Sequence, residues 1–360
     1  MLGATLEQKV WIHTSSNLYP NLYVYMVGRP GIGKTRSIMA AMRLGEAIEM
    51  PYAPTSMTMA SLVDSLVESK RVIPTPPYGG LDYNSMYIVA DELGAFMHEY
   101  DPELIPGLTK FYDCEPYSQA RRIKDIRIKI EKPQLSIIAG ATPTNLMKFV
   151  PEIAWEQGFT SRLILVFSAD AIDVDDFADR NRPSPTDLIH DLRIINSLVG
   201  QFTATQSYQD CIRNWQTAGQ APVPDHPKLA HYNTRRRTHL YKLSMVSAVN
   251  RGNDLVLTKA DFDQALSWLV DAELMIPEIF HTGAPGADAK AIDEIYYFML
   301  TEQAVRGVVS EHKIVRYARQ RVPLNSIGHV LGVMERSGDI AVTGIDKKTN
   351  TRFFKALPKP

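Results

Sequence analysis

Residues 28–35, Gly28-Arg29-Pro30-Gly31-Ile32-Gly33-Lys34-Thr35, follow the pattern G-x-x-x-x-G-K-S/T. The composition suits the holding of phosphate. Glycines let consecutive backbone N–H groups converge on an anion. Lys34 is spaced to reach the outer phosphates of a nucleotide, and the Thr35 hydroxyl to bind magnesium. Gly28, Pro30, Gly31, Ile32, Gly33, Lys34, Thr35 and Arg36 therefore make the candidate phosphate-binding stretch, with ATP and Mg²⁺ as expected ligands.

A second chemical pair, Asp91-Glu92, ends the apolar run Met86-Tyr87-Ile88-Val89-Ala90. Cleaving a bound triphosphate requires a further magnesium ligand and a group that orients water. Asp91 suits the first role and Glu92 the second. The pair can also simply cap the helical LGAFMHEY that follows. Thr142 and Asn145 come after the apolar run 135–141, where a polar side chain can touch water or the outer phosphate. Thr142 is the first candidate and Asn145 the second; a plain Thr-Pro turn is the alternative. Arg162 precedes the apolar run 163–167. It can enter a neighbouring subunit's nucleotide site as an arginine finger, or make a surface salt bridge.

Strands and helices must position these residues. Run 22–27 reads as a buried strand, and 36–48 as a helix whose N-terminus adds partial positive charge beneath a phosphate. Runs 86–90, 135–141 and 163–167 read as further strands. The order of phosphate loop, Asp-Glu strand, polar strand end and Ser-Arg strand resembles that of the AAA+ ATPases. GFTSRLILVFSAD is similar to the arginine-finger strand of minichromosome-maintenance-type helicases. Asn233-Thr234-Arg235-Arg236-Arg237-Thr238-His239-Leu240 resembles the opening of their lid. In character the chain resembles phage- and plasmid-encoded AAA+ replication ATPases. The resemblance covers residues 20–170 and 230–280. Thr142 departs from it, since many relatives carry asparagine there.

The resemblance implies an α/β fold: an AAA+ P-loop parallel sheet with a helical lid, here joined to a C-terminal winged-helix domain. It also implies a homo-oligomer, expected as a hexameric ring, and a lid arginine that contacts nucleotide from above. Arg237 is the choice for that role, with Arg236 second.

The expected domains are an ATPase core over 1–170, a helical connector and lid over 171–280, a linker over 281–288 and a winged helix over 289–360. Residues 1–19 read as a short helix and loop, 60–69 as a helix, 73–77 as a Pro-rich loop and 186–280 as helical. Ile126, Ile128 and Ile130 alternate with charged residues, giving a strand with one basic face. Arg121, Arg122, Lys124, Arg127 and Lys129 there can grip DNA phosphates in a ring's pore, or form a solvated sheet edge. Stretches 289–302, 310–319 and 324–336 read as helices, followed by a hairpin around 346–350. From 289 to 360 there are 12 Lys/Arg and 7 Asp/Glu, while the whole chain carries a net charge of −1. Asn325, Ser326 and His329 on the third helix, with Lys347, Lys348 and Arg352 on the wing, are candidate DNA contacts. Such modules also dock proteins.

No apolar run approaches the roughly 20 residues that cross a bilayer. The opening MLGATLEQKVWIH lacks a basic start with an apolar core, so no signal peptide is read and a cytoplasmic protein is expected. Two cysteines, Cys114 and Cys211, exclude a disulfide framework or a thiolate zinc site. The expected function is a ring-forming ATP-hydrolysing DNA motor, a replicative helicase of a phage or mobile element acting on single-stranded DNA with other replication proteins. The alternative is a helicase loader or initiator that uses ATP as an assembly switch. A packaging or remodelling ATPase is a third reading.

Overall fold

The run Leu135-Ser136-Ile137-Ile138-Ala139 places apolar side chains on both faces of a strand, which is stable only where both faces are covered. The computed structural model describes residues 1–54, 56–74, 80–97, 103–121, 126–150, 154–155, 158–168, 184–224, 226–252, 254–283, 287–319, 324–346 and 351–357. It is an α/β structure with mixed sheets, and the chain divides into two units, Met1–Gly283 and Ala284–Pro360.

In the first unit the strands are β1 (Val10–His13), β2 (Asn17–Leu18), β3 (Tyr23–Gly28), β4 (Lys70–Pro74), β5 (Gly80–Ala90), β6 (Tyr117–Arg121), β7 (Ile126–Ile130), β8 (Pro133–Ala141), β9 (Leu163–Ser168), β10 (Gly200–Ala204) and β11 (Val256–Leu257). The main sheet has the order β4-β5-β8-β3-β9. Its β5, β8, β3 and β9 are parallel, while β4 is an antiparallel edge strand. Pro74 lies at that edge, where a missing N–H donor is tolerated. The strand covers the start of the segment expected as a Pro-rich loop.

Helices α1 (Leu2–Leu6), α2 (Lys34–Glu46), α3 (Met59–Glu68), α4 (Leu93–Phe96), α5 (Leu104–Tyr112), α6 (Pro143–Phe149), α7 (Pro185–Ser197), α8 (Gln206–Thr217), α9 (Ala230–Gly252), α10 (Lys259–Leu274) and α11 (Ile276–Gly283) complete the unit. Helix α3 starts at a capping box in which Thr58 and Ser61 bond each other's backbone. Leu62, Val63 and Leu66 then bury its inner face.

Two segments depart from the sequence reading. Residues 10–13 are strand rather than loop, and 200–204 interrupt the expected helical stretch. Together with β2 and β11 they form a second sheet, β11-β10-β1-β2, in which Val10 pairs with Gly200. Each piece is too short to show a period alone, and a partner distant in sequence makes it a strand. Of the expected linker, residues 281–283 close α11; 284–286 lie outside the described residues. The aspartate-rich stretch 170–179 also lies outside them.

Helix α9 is buried along much of its length and carries polar groups inward. Arg236 is fully buried, and Glu273 of α10 accepts two of its N–H groups at 2.7 and 2.8 Å. Lys242 donates to the carbonyl and side-chain oxygens of Asn21 at 2.9 and 2.7 Å. Helix α10 opens on a box in which Asp261 Oδ2 accepts from the Thr258 backbone N–H at 2.8 Å.

The second unit has α12 (Ala287–Arg306), α13 (Glu311–Ala318) and α14 (Leu324–Arg336). They pack on an antiparallel sheet of β12 (Val309–Ser310), β13 (Ile340–Asp346) and β14 (Thr351–Ala356), in the order β12-β14-β13. Met299, Ile314, Leu331, Met334 and Phe354 form its core. Among the described residues no helix is long and apolar enough to cross a membrane.

Replacing Glu273 by alanine strands the Arg236 charge in the interior. The expected loss is about 3–5 kcal/mol of unfolding free energy in a urea titration. Breaking the exposed Lys259–Asp263 pair with Asp263→Ala should change it by less than about 1 kcal/mol.

Candidate functional site

Residues 28–33 turn the chain from the end of β3 into α2. Gly31 and Gly33 have φ of 86° and 91°, a left-handed backbone that side chains disfavour. Gly28 answers a different demand, since a Cβ there would lie 2.1 Å from Ile32 Cδ1 and 2.6 Å from the Ser168 carbonyl. The first N–H groups of α2 have no acceptors within the helix and add a partial positive charge beside the loop. Lys34, 9% exposed, turns its ammonium onto the loop's own carbonyls, Gly28 at 2.6 Å and Arg29 at 2.9 Å. Burial lowers its pKa, and the nearby Glu92 charge opposes that shift.

Asp91 and Glu92 follow β5 directly. Strand β8 lies between β5 and β3, which brings the ends of all three to one edge. The contact is close: a Cβ on Gly140 would sit 2.3 Å from the Asp91 carbonyl oxygen. Asn145 Nδ2 donates to Glu92 Oε1 at 2.7 Å. Thr142, the first candidate for a catalytic contact, is the N-cap of α6, its hydroxyl accepting from the Asn145 N–H at 3.2 Å. Pro143 opens that helix, so the residue before it takes the cap position. Asn145, one turn on, is the residue that touches Glu92. Thr35 and Asp91 are exposed, and their side-chain oxygens bond to nothing among the described residues. Arg29, Pro30 and Arg36 are exposed on the same loop, with Ile32 half-buried.

Arg162 stands at the other edge of the sheet. Leu163 pairs with Tyr23, and Gly28 with Ser168, so the length of β3 separates Arg162 from the loop. At about 3.3 Å per residue that is roughly 17 Å. The guanidinium is turned inward and 6% of the residue is exposed. It donates to the Gly158 carbonyl at 2.7 Å and, through Nε, to Asp113 Oδ2 at 3.2 Å, with Nη2 on the same oxygen. Asp113 Oδ1 also accepts from Arg235 at 2.9 Å. One carboxylate therefore clamps two arginines. Sequence reasoning passed over Asp113, because KFYDCEP shows no pattern and its partners lie 49 and 122 positions away.

His239 braces the same turn. Its Nε2 faces the Ser161 carbonyl at 2.8 Å and must carry the proton, while Nδ1 faces Tyr112 Oη at 3.3 Å. Burial pushes its pKa down to about 4, aided by the charges of Lys242, Arg235 and Arg162. Burial likewise lowers Lys242 to about 8.

The two lid candidates part company with the loop. Arg236 is held by Glu273. Arg237 is exposed and lines clefts formed with residues 12–19 and with Tyr241, near the edge opposite the loop. Neither is brought to Gly28–Thr35 of its own chain, because α9 packs against the turn before β9 and carries both to that side.

The DNA candidates divide. β6 and β7 pair as a hairpin, with Arg127 and Lys129 exposed and Ile130 buried. Lys129 is ion-paired with Glu131. Arg122, Lys124, Lys347 and Lys348 lie outside the described residues, as do the side chains of Arg121, Asn325 and Ser326. Arg352 is committed within its own unit, donating to Glu311 at 2.7 and 3.1 Å and lying over the Phe354 ring. That carboxylate offsets the charge expected to meet DNA. His329 is exposed on α14.

Among the described residues no cluster of three or more His, Cys, Asp or Glu side chains could by itself hold a metal. No protein-family model matches the chain, and no curated protein matches it.

Two measurements follow from this packing. Gly140→Ala must push β8 from the Asp91 carbonyl, with an expected loss of about 1–3 kcal/mol in chemical denaturation. Because His239 titrates lower in the folded chain than the usual 6.5, its contribution is complete above that value and is lost as pH falls toward 4. The loss amounts to roughly 3 kcal/mol, and His239→Gln should flatten stability between those pH values.

Proposed function

We propose that this chain is an AAA+-type P-loop ATPase that assembles into a ring, expected to be hexameric, and drives movement on single-stranded DNA. The observation that carries this reading is the gathering of Lys34, Thr35, Asp91, Glu92 and Asn145 at one edge of a parallel sheet, around a loop of left-handed glycines. That edge is where ligands of open α/β sheets are held.

Lys34 now rests on the carbonyls of its own loop and would exchange them for the outer phosphates of ATP. The exposed oxygens of Thr35 and Asp91 are hard donors that suit magnesium. The metal, when bound, neutralises charge on the phosphates. Glu92 orients the water that attacks the terminal phosphorus and takes its proton as the bond to ADP breaks. The Asn145 amide fixes the Glu92 carboxylate, so the base faces one direction. Arg162 is too far from its own loop to assist there. It serves a neighbouring copy, which must draw it from Asp113.

That clamp also favours a second reading. A chain whose arginine is released only on assembly can use ATP as a switch, as a helicase loader or replication initiator would. The exposed basic residues of the β6–β7 hairpin support a motor, whereas the committed Arg352 leaves the second unit less suited to gripping DNA.

Glu92→Gln should retain ATP binding while turnover falls at least about 100-fold. Arg162→Ala should lower turnover by roughly 10³–10⁵, and mixing it with Lys34→Ala should restore part of the rate. Full turnover by isolated monomers, with no recovery in mixtures, would overturn the shared site. Strand displacement separates the two readings, since a loader turns over slowly and does not unwind DNA alone.

A further inference from the structure

Two clefts of about 600 and 620 Å³ open on the first unit near the edge of the main sheet opposite the loop. They share Thr14, Arg237 and Tyr241, so they adjoin. Each has the size of a site for a nucleotide-sized ligand. Arg213, Arg235, Arg237 and Lys242 line them with two carboxylates, Asp113 and Glu115, but Arg213 is ion-paired with Asp210 and Lys242 is buried against Asn21. Both carboxylates belong to the first cleft, and Asp113 is already engaged by Arg162 and Arg235.

Arg237 is the informative residue. It is exposed at the junction of the two clefts, and its guanidinium makes no hydrogen bond or ion pair among the described residues. Tyr241 lies one turn further along α9, half-exposed at the same junction, with Tyr208 beneath it at 6.4 Å between ring centroids. Tyr19 lies half-exposed in the first cleft. The arrangement therefore offers two half-exposed rings in the clefts that Arg237 lines. Hydroxyl and amide side chains such as Thr14, Asn17, Gln201 and Gln209 fill the rims.

We propose that the joined clefts bind single-stranded nucleic acid, with two successive nucleosides in the two lobes and their linking phosphate on Arg237. An exposed ring beside an unpaired cation is part of the chemistry by which single strands are held without reading sequence. A duplex does not fit, because its bases are stacked on one another and withheld from Tyr19 and Tyr241. The proposal rests on the DNA-motor reading for its partner, and its residues are other than the basic residues of the β6–β7 hairpin and those of the second unit.

The test is fluorescence anisotropy of a labelled oligothymidylate with the full chain, without nucleotide, between roughly 50 and 200 mM salt. Arg237→Ala should weaken binding and reduce the log–log salt slope by about 0.7, one phosphate's worth for a single strand. Tyr241→Ala should weaken binding roughly 5- to 100-fold with the slope unchanged, and Tyr241→Phe should restore it. If the chain binds the oligonucleotide but both variants match the parent in affinity and slope, this inference fails and the motor reading stands. If the parent binds no single strand at all, both fail. Displacement of the oligonucleotide by inorganic tripolyphosphate at equal concentration of phosphate groups would make the cleft a plain anion site and overturn the proposal.

Discussion

Strand polarity is the constraint on which the other features depend. β5, β8, β3 and β9 all run one way, so their carboxyl ends share one edge and their amino ends the other. Parallel strands can be joined only by crossovers that return the chain to its starting edge. Segments leaving these four strands therefore emerge beside the glycine loop, and segments entering them emerge beside Arg162. The carboxylates and Lys34 fall on the first edge. The arginines clamped by Asp113 fall on the second. Under the proposed reading a cation that completes the site must then come from another copy.

The entering edge is built by buried and half-buried polar contacts rather than apolar packing alone. His239 meets the Ser161 carbonyl and Lys242 meets Asn21 in the interior, and the half-buried Arg235 meets Asp113. Each buried polar group costs free energy unless it is bonded, so the contacts permit few alternative registers of α9 on the sheet. Arg236 and Glu273 make the matching constraint between α9 and α10.

The glycine loop and the acidic strand end were legible because their signals are local. Gly31 and Gly33 are demanded by backbone angles a few residues apart, and Asp91-Glu92 is marked by the apolar run before it. Thr142 and Asn145 follow the same strand, and the sequence carried no sign that Thr142 caps α6 while Asn145 bonds Glu92. β1 and β10 went unread because each is short and acquires strand character from a partner far along the chain. Arg237 could be seen as a cation at the head of a helix, but its neighbours could not.

By itself the sequence determined the four parallel strands of the main sheet (though not its edge strand β4), where the phosphate-type loop lies, and which carboxylates stand at a strand end. These follow from side-chain periodicity and from the conformational freedom of glycine, both properties of neighbouring residues. Tertiary structure alone decided that Asp113 holds Arg162 and Arg235, that Asn145 aims Glu92, and that Arg236 is interior while Arg237 faces an open cleft. Those outcomes depend on which edge of the sheet each helix is returned to, and that is settled by packing between residues separated by up to a hundred positions or more.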